Sequence, residues 1–414
     1  MKRALIGRFL NLVLRGVTLV SKFLLIVLLA RFLEPADLGL FGLLTVTISY
    51  SIFLVGFDFY IFTTREILKS SANDRGRLLK GQIGFSLILY CVFVPLCVSL
   101  FTVGLLPWWL LPWFLILLIF EHVAQELNRI LVALSRQVIA SWVLFFRAGA
   151  WCLVVLAIMY LDPEYRSLQT VLVSWIIGSV MAVAVGLLVV FRQGLGGWQL
   201  PVDWNWVKKG VRITVPMLIA TLALRGIYTF DRYWIEALTN LEVLGVYVLF
   251  MGICNALLAF MDAAVFTFLY PAMIVAHTNQ DARGFRIKFR QLTAQTITLT
   301  LFFSMVAWIV VPFLLEWLDR PVFSEYQYLF LWLLVANMLT VLGMIPHYGL
   351  YAQGNDKPLV VSHIAGLIVF VLTTALSTLF SGELAVPLGL IAASGFILFW
   401  KTLQFFRLTP PLWR

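Results

Sequence analysis

The chain has 414 residues and a formal net charge of +10, with 62% of its residues hydrophobic and 12% charged, against about 45–50% and about 25% in an ordinary soluble domain. No water-soluble fold hides that much apolar surface, and the same hydrophobicity excludes disorder. A bilayer-crossing helix takes about 20 mostly apolar residues, so about a dozen spans consume most of the apolar content and leave no room for a soluble catalytic domain. The composition reads as an all-α polytopic membrane protein.

The chain opens on a basic segment, MKRALIGRFL, but the apolar run behind it carries Arg15 and Lys22 and reaches Arg31 with no small-residue cleavage pattern. It is expected to be a retained first span rather than a removable signal. Hydropathy then places spans at residues 9–32, 38–62, 81–104, 112–134, 142–161 and 168–191. A polar and aromatic connection, RQGLGGWQLPVDWNWVKKG, follows, and six more spans at 211–238, 244–272, 292–315, 329–351, 359–380 and 387–407 complete twelve. The runs are continuously apolar for about twice the length of a barrel strand, so helices are expected. The expected organisation is a six-helix lobe at 1–195, an interfacial cytoplasmic connection at 196–210 and a second six-helix lobe at 211–414.

Of the 30 Lys and Arg, twenty-one fall at the amino end, in the even-to-odd loops or at the carboxyl end, a group in which Lys2, Arg3, Arg8 and Lys401 are counted. Only Arg31, Arg166 and Arg320 fall on the other side, which is acidic instead, and the positive-inside rule puts both termini in the cytoplasm. Trp198, Trp204 and Trp206 suggest that the mid-chain connection lies along the inner membrane surface. The halves also repeat. LEPADLGLFGLL follows the first span and LTNLEVLGVYVLF the seventh, matching Gly39 with Gly245 and Phe41 with Tyr247. Six helices separate the two, so the repeat is parallel about an axis along the membrane normal, and the expected shape is two bundles facing a cavity.

Six cations remain inside spans: Arg15, Lys22, Arg129, Arg147, Arg225 and Arg232. Facing lipid at mid-depth each costs about 2.5–3.5 kcal/mol, so they must meet protein, water or a ligand. In the first span Arg8, Asn11, Arg15, Thr18 and Lys22 follow helical steps of three and four, and in the seventh Thr221, Arg225, Tyr228 and Arg232 do the same. Two such stripes facing one another would line a cationic vestibule that attracts anions. The bland alternative is pairing with the intramembrane acids Asp58, Glu121, Glu126, Asp231 and Asp262. Glu126 and Arg129 are three apart and are expected to pair. Arg147 either bridges to Glu121 or meets substrate, and Arg232 either snorkels at the outer end or meets substrate. Arg15, Lys22 and Arg225 have no acid at i±3 or i±4. Asp58, Glu121 and Asp231 are candidates for ion coupling, with charge balance as their plain alternative.

Pro95, Pro216 and Pro346 lie inside spans and are candidate bends, or ordinary packing. The longest outer loop, EWLDRPVFSEYQY, is too short to house sugar-transfer chemistry, and no GxxxxGK[ST] loop is present. Cys91, Cys97, Cys152 and Cys254 sit in apolar stretches without metal-ligand spacing and are expected to be buried. His122, His277, His347 and His363 show no paired spacing, so neither metal nor other cofactor is expected.

RFLEPADLGLFGLL, FDFYIFTTRE, TFDRYWIEALTNLEVLGVY and LYAQGNDKPL resemble segments of the Wzx-type O-antigen and lipid-linked oligosaccharide flippases. These form the polysaccharide-transport branch of the multidrug, oligosaccharidyl-lipid and polysaccharide exporter superfamily. The resemblance covers essentially the whole chain in span count, repeat and loop lengths. It implies a MATE-like pair of lobes around a central cavity in a bacterial inner membrane, moving an undecaprenyl-pyrophosphate-linked oligosaccharide from the cytoplasmic to the periplasmic leaflet. It implies membrane lipids and polysaccharide polymerase or assembly proteins as partners, no nucleic acid, and no enzymatic activity. The family's cavity cations carry over to Arg15, Lys22 and Arg225, with Asp231 and Arg232 fitting its span-seven pattern. The rivals are a multidrug exporter of the same fold, a membrane glycosyltransferase or polymerase on the same lipid carrier, and a noncatalytic scaffold.

Overall fold

The computed structural model describes residues 2–414, with side chains of residues 2–6 and 8 excepted. The charges counted at Lys2, Arg3 and Arg8 therefore lie outside the described side chains. In chain order the helices are α1 (Lys2–Phe32), α2 (Pro35–Gly56), α3 (Tyr60–Lys69), α4 (Arg75–Thr102), α5 (Leu111–Ala133), α6 (Gln137–Phe145), α7 (Trp151–Leu161), α8 (Leu168–Arg192) and α9 (Trp204–Leu238). They continue as α10 (Leu241–Met261), α11 (Thr267–Thr278), α12 (Ala282–Leu318), α13 (Pro321–Glu325), α14 (Tyr328–Leu342), α15 (Met344–Ala352), α16 (Asp356–Ser377) and α17 (Gly382–Leu408). Among the described residues no strand occurs, and twelve helical segments are long and apolar enough to cross a membrane. Five helix starts are written by side-chain caps: Ser167 Oγ accepts from Thr170 N (3.3 Å), Asp203 Oδ1 from Trp206 N (3.0 Å), Asn240 Oδ1 from Val243 N (2.9 Å), Asp281 Oδ1 from Gly284 N (2.8 Å) and Ser381 Oγ from Leu384 N (3.3 Å).

The chain forms two compact units. The first holds Met1–Leu33 and Leu43–Leu222, the second Glu34–Gly42 and Ala223–Arg414. The change of unit thus falls at Leu222, inside α9, and the first turns of α2 belong to the second unit. In the first unit α1 packs on α6 and α7, and α5 on α8. In the second α17 packs on α14, α15 and α16, and α10 on α14. The repeat glycines explain the excursion of α2. A Cβ at Gly39 would meet Leu241 O at 2.4 Å and Gly245 N at 3.3 Å, and one at Gly245 would meet Pro35 O at 2.0 Å. The residues matched as repeat equivalents are therefore the contact point at which two backbones touch, as small residues allow in membrane helices.

Two segments and one cysteine depart from the sequence reading. The second span ends at Gly56, not 62, because Phe57 (φ 55°) and Asp58 (φ 49°) both adopt left-handed backbone. That costs about 1–2 kcal/mol for each L-residue. Phe59, Phe62 and Trp206 pack together after the break, with Phe59–Trp206 ring centroids 5.5 Å apart. The connection runs against the start of α4: Gly76 N donates to Gly196 O (2.8 Å), Lys80 Nζ to Trp198 O and Leu200 O (3.1 Å each), and Arg77 pairs with Asp203 (3.3 Å). Trp204 and Trp206 belong to α9 itself. Of the four cysteines Cys97, Cys152 and Cys254 are buried as expected, but Cys91 is exposed on α4, where its small apolar side chain needs no partner.

Candidate functional site: two kinds of intramembrane cation

The span cations sort into held and exposed. On α5, Arg129 Nη1 donates to Glu126 Oε1 at 2.6 Å and its guanidinium lies 3.5 Å from the Tyr60 ring centroid, the pairing that the i, i+3 spacing predicts. Arg147 Nε donates to Glu121 Oε2 (2.7 Å) and its Nη2 to Gln125 Oε1 (3.0 Å). Glu121 in turn accepts at Oε1 from Trp175 Nε1 (2.9 Å) and Ser179 Oγ (2.7 Å), so its carboxylate is shared by three donors, one on the π turn after α6 and two on α8. Arg147 stands on a π-helical turn, Phe146–Ala150, between α6 and α7. The turn approaches α1 so closely that a Cβ on Gly149 would lie 3.1 Å from Thr18. In the second unit Arg232 Nη1 donates to Asp231 Oδ1 (3.1 Å) and to Tyr228 O (2.6 Å), and Asp231, fully buried, also accepts from Tyr247 Oη at 2.6 Å. Arg232 folds onto its neighbour rather than reaching outward.

Arg15, Lys22 and Arg225 are exposed. Among the described residues neither Arg15 nor Lys22 forms an ion pair, although Lys22 lies within electrostatic reach of Arg147, Cys152 and Glu121. The polar stripe on α1 divides. Leu14, Thr18, Ser21, Leu25 and Leu29 make the buried face, where Thr18 and Ser21 hydroxyls donate to Leu14 O and Val17 O (2.7 Å each), and Asn11 accepts from Ser141. Arg15 and Lys22 lie about 60–80° round the helix from the centre of that face. They flank the packed side rather than belonging to it. Asp58 is buried at the left-handed break between α2 and α3.

Two groups of functional character were missed from sequence. Lys401, counted with the inner-end cations, is buried in α17 at 3% exposure, with Nζ 3.2 Å from His347 Nδ1 on α15 and 3.3 Å from His363 Nε2 on α16. Its place inside the predicted 387–407 span was the available signal. Asp262, read only as a possible counter-ion, is exposed on a second π-helical turn, Asp262–Phe266, near the middle of the eighth span. Tyr348 Oη donates to its Oδ1 (3.4 Å), and the Tyr348 ring stacks on Tyr270 with centroids 5.1 Å apart. π turns inside helices concentrate at functional positions, and here each of the two carries a charge.

Twelve helical segments long and apolar enough to cross a membrane, with basic side chains exposed along them, define a polytopic α-helical membrane protein. Residues 6–277, more than half of the chain, match the model of the polysaccharide biosynthesis protein family, and the chain belongs to that family. No curated protein matches the sequence. The fold is similar to an inward-facing multidrug resistance MATE family transporter of the MOP superfamily, with TM-score 0.76 at 12% identity over 96% of this chain and 98% of that one. It is also similar to the lipid II flippase MurJ in an inward closed conformation, with TM-score 0.70 at 12% identity over 97% of this chain and 87% of that one. A MOP superfamily transporter from Pyrococcus furiosus, described as having a binding pocket of reversed polarity, matches with TM-score 0.57 at 13% identity over 98% and 95%. The chain is accordingly an all-helical membrane protein of the MATE-like fold, as its resemblance to the Wzx-type flippases implied.

Proposed function

We propose that the protein is a flippase for an undecaprenyl-pyrophosphate-linked oligosaccharide, carrying it from the cytoplasmic to the periplasmic leaflet of a bacterial inner membrane by alternating access, with both termini cytoplasmic. The observation that carries the reading is the sorting of the cations. Arg129, Arg147 and Arg232 are held by carboxylates, while Arg15 and Lys22 stand exposed at span depth outside any described ion pair. A charge kept in that position without a carboxylate needs an anionic visitor to offset its cost, and a pyrophosphate suits an Arg fork beside a Lys point charge. Arg225 supplies the corresponding exposed cation on α9. Arg147 and Arg232 are placed to tune the field around these groups.

The stacked Tyr270 and Tyr348 rings beside Asp262 suit the sugars, whose C–H faces lie against aromatic rings while hydroxyls donate to a carboxylate. The protein is a carrier and not an enzyme, and its lipid-linked cargo makes a polysaccharide polymerase its natural partner downstream. A multidrug exporter would favour acids at the exposed span positions, where two arginines and a lysine outnumber the exposed Asp262. The test is the Arg15→Ala, Arg225→Ala double variant. With normal expression and insertion, it accumulates lipid-linked oligosaccharide on the cytoplasmic leaflet. Normal export by that variant would overturn the proposal.

A further inference from the structure

Lys401 is the most buried Lys or Arg described, and its surroundings are unusual for an ammonium. Its Nζ is bonded to two imidazoles, from α15 and α16, whose rings lie parallel with centroids 6.3 Å apart. Among the described residues no carboxylate pairs with any of the three. Buried ammonium groups are ordinarily paired. Here three bases from three helices face one another, and a second positive charge among them is opposed by the first.

One side of the cluster is sealed. Leu350, Leu359 and Phe405, with Phe289 against them, form a small apolar cluster, and each of the first three lies about one helical turn from His347, His363 and Lys401 respectively. All three displacements point toward the 353–355 loop. On the opposite side, about two turns away, Ser394 and Thr340 bond each other (2.9 Å) and Tyr228 Oη lies 3.1 Å from Thr340 Oγ1. The Tyr228 carbonyl accepts from Arg232, which holds Asp231. A polar seam therefore runs through the second unit from Asp231 to Ser394 and ends about two turns short of Lys401. Ile227 of α9 packs 3.8 Å from the Cβ position of Gly366 on α16, which sets Arg225 within about one turn of His363 in depth.

We propose that Lys401, His347 and His363 form a proton-binding site in the second unit, which exchanges one proton with the seam side during the transport cycle. With the ammonium charged, Nζ–H donates to the lone pairs of His347 Nδ1 and His363 Nε2. Transfer breaks one N–H bond on Nζ and forms one on an imidazole nitrogen, leaving a neutral amine beside an imidazolium, and loss of that proton empties the site. Water on the seam side receives the released proton and returns it when the site refills. A filled site adds a positive charge at the depth of Arg225, so it favours an anion there more than an empty site does. Only this link to cargo rests on the transporter reading; the proton site itself does not.

The other titratable or charged groups on the elements packed around the cluster are accounted for. On its own helices they are Tyr348 and Tyr351 (α15), Asp356 and Lys357 (α16), and Glu383 and Arg407 (α17). On its neighbours they are Tyr328 (α14), Asp262 on the π turn before α11, which accepts from Tyr348 Oη (3.4 Å), Tyr270 and His277 (α11), Arg283, Arg286, Lys288, Arg290 and Glu316 (α12), and Arg225, Tyr228, Asp231, Arg232, Tyr233 and Glu236 on the outer half of α9.

The test is nitrogen-15 histidine NMR of the full chain in lipid bilayers, titrated between about pH 5 and pH 9, with His347→Gln and His363→Gln for assignment. The bonding pattern requires opposite neutral tautomers, with hydrogen on Nε2 of His347 and on Nδ1 of His363. The expected result is those two tautomers at high pH, a coupled change in both resonances as one proton enters, and altered titration in Lys401→Met, which keeps the volume of the stem. Identical tautomers, or resonances unchanged by pH and by Lys401→Met in a variant of normal thermal stability, would overturn the site. If the site titrates as stated but transport rate in Lys401→Met vesicles keeps the wild-type pH dependence, the link to cargo is overturned and the site stands.

Discussion

Replacing Glu121 by alanine separates a structural carboxylate from a coupling one. In the folded protein its two oxygens accept from Arg147 Nε (2.7 Å), Trp175 Nε1 (2.9 Å) and Ser179 Oγ (2.7 Å), and the residue is 6% exposed. Breaking a buried ion pair by removing one partner costs about 3–5 kcal/mol, chiefly because the other charge is left buried and uncompensated. The orphaned indole and hydroxyl donors add about 1–3 kcal/mol each before relaxation. Gln125 still accepts from Arg147 at 3.0 Å and offsets part of this, so Glu121→Ala is expected to destabilise by about 4 kcal/mol. Glu121→Gln keeps an acceptor oxygen and should cost about half as much. Glu121→Met with Arg147→Met removes both charges and should recover most of the loss. Equilibrium unfolding in mixed micelles, followed by tryptophan fluorescence, measures each value. Wild-type stability in Glu121→Ala, together with abolished transport, would refute the reasoning and make Glu121 a coupling group.

Gly245→Val tests the contact between α2 and α10. A Cβ there would lie 2.0 Å from Pro35 O, so the backbones must separate, and a loss of about 1–3 kcal/mol is expected in the same unfolding assay. Asn240→Ala removes the oxygen that accepts from Val243 N (2.9 Å) at the start of α10 and should cost about 1 kcal/mol, with transport at saturating cargo unchanged.

Much of the fold was legible because a membrane span is written in one dimension. Twelve runs of apolar residues give twelve spans, and Gly39 and Gly245 marked the repeat before their backbones were seen to touch. What hydropathy misses is local backbone geometry. Phe57 and Asp58 look like the continuation of an apolar helix, yet both turn left-handed, because the aromatic packing of Phe59 and Phe62 on Trp206 is a long-range contact. The pair of Arg129 was readable since its acid lies three residues away, whereas Arg232, read as snorkelling or meeting substrate, folds onto Asp231, a neighbour that helix geometry does not bring face to face with it. Arg147 and Glu121 are 26 residues apart, and only the packing of α5 against the turn after α6 selects their bridge. Lys401 was misplaced because charge counting by loops assigns any Lys near a span end to water. Its burial follows from His347 and His363 arriving on two other helices, and no spacing rule joins those three positions.

The central claim is that exposed span cations receive a phosphorylated lipid. Its most direct measurement is binding of a polyprenyl pyrophosphate to the purified protein in nanodiscs, compared between wild type and Arg15→Gln, Lys22→Gln. Removing two charge-assisted contacts, at about 1.5–3 kcal/mol for a hydrogen bond to a charged group, predicts a fall in affinity of more than about a hundredfold, with a weaker salt dependence and unchanged unfolding. Equal affinity in the two proteins would contradict the account.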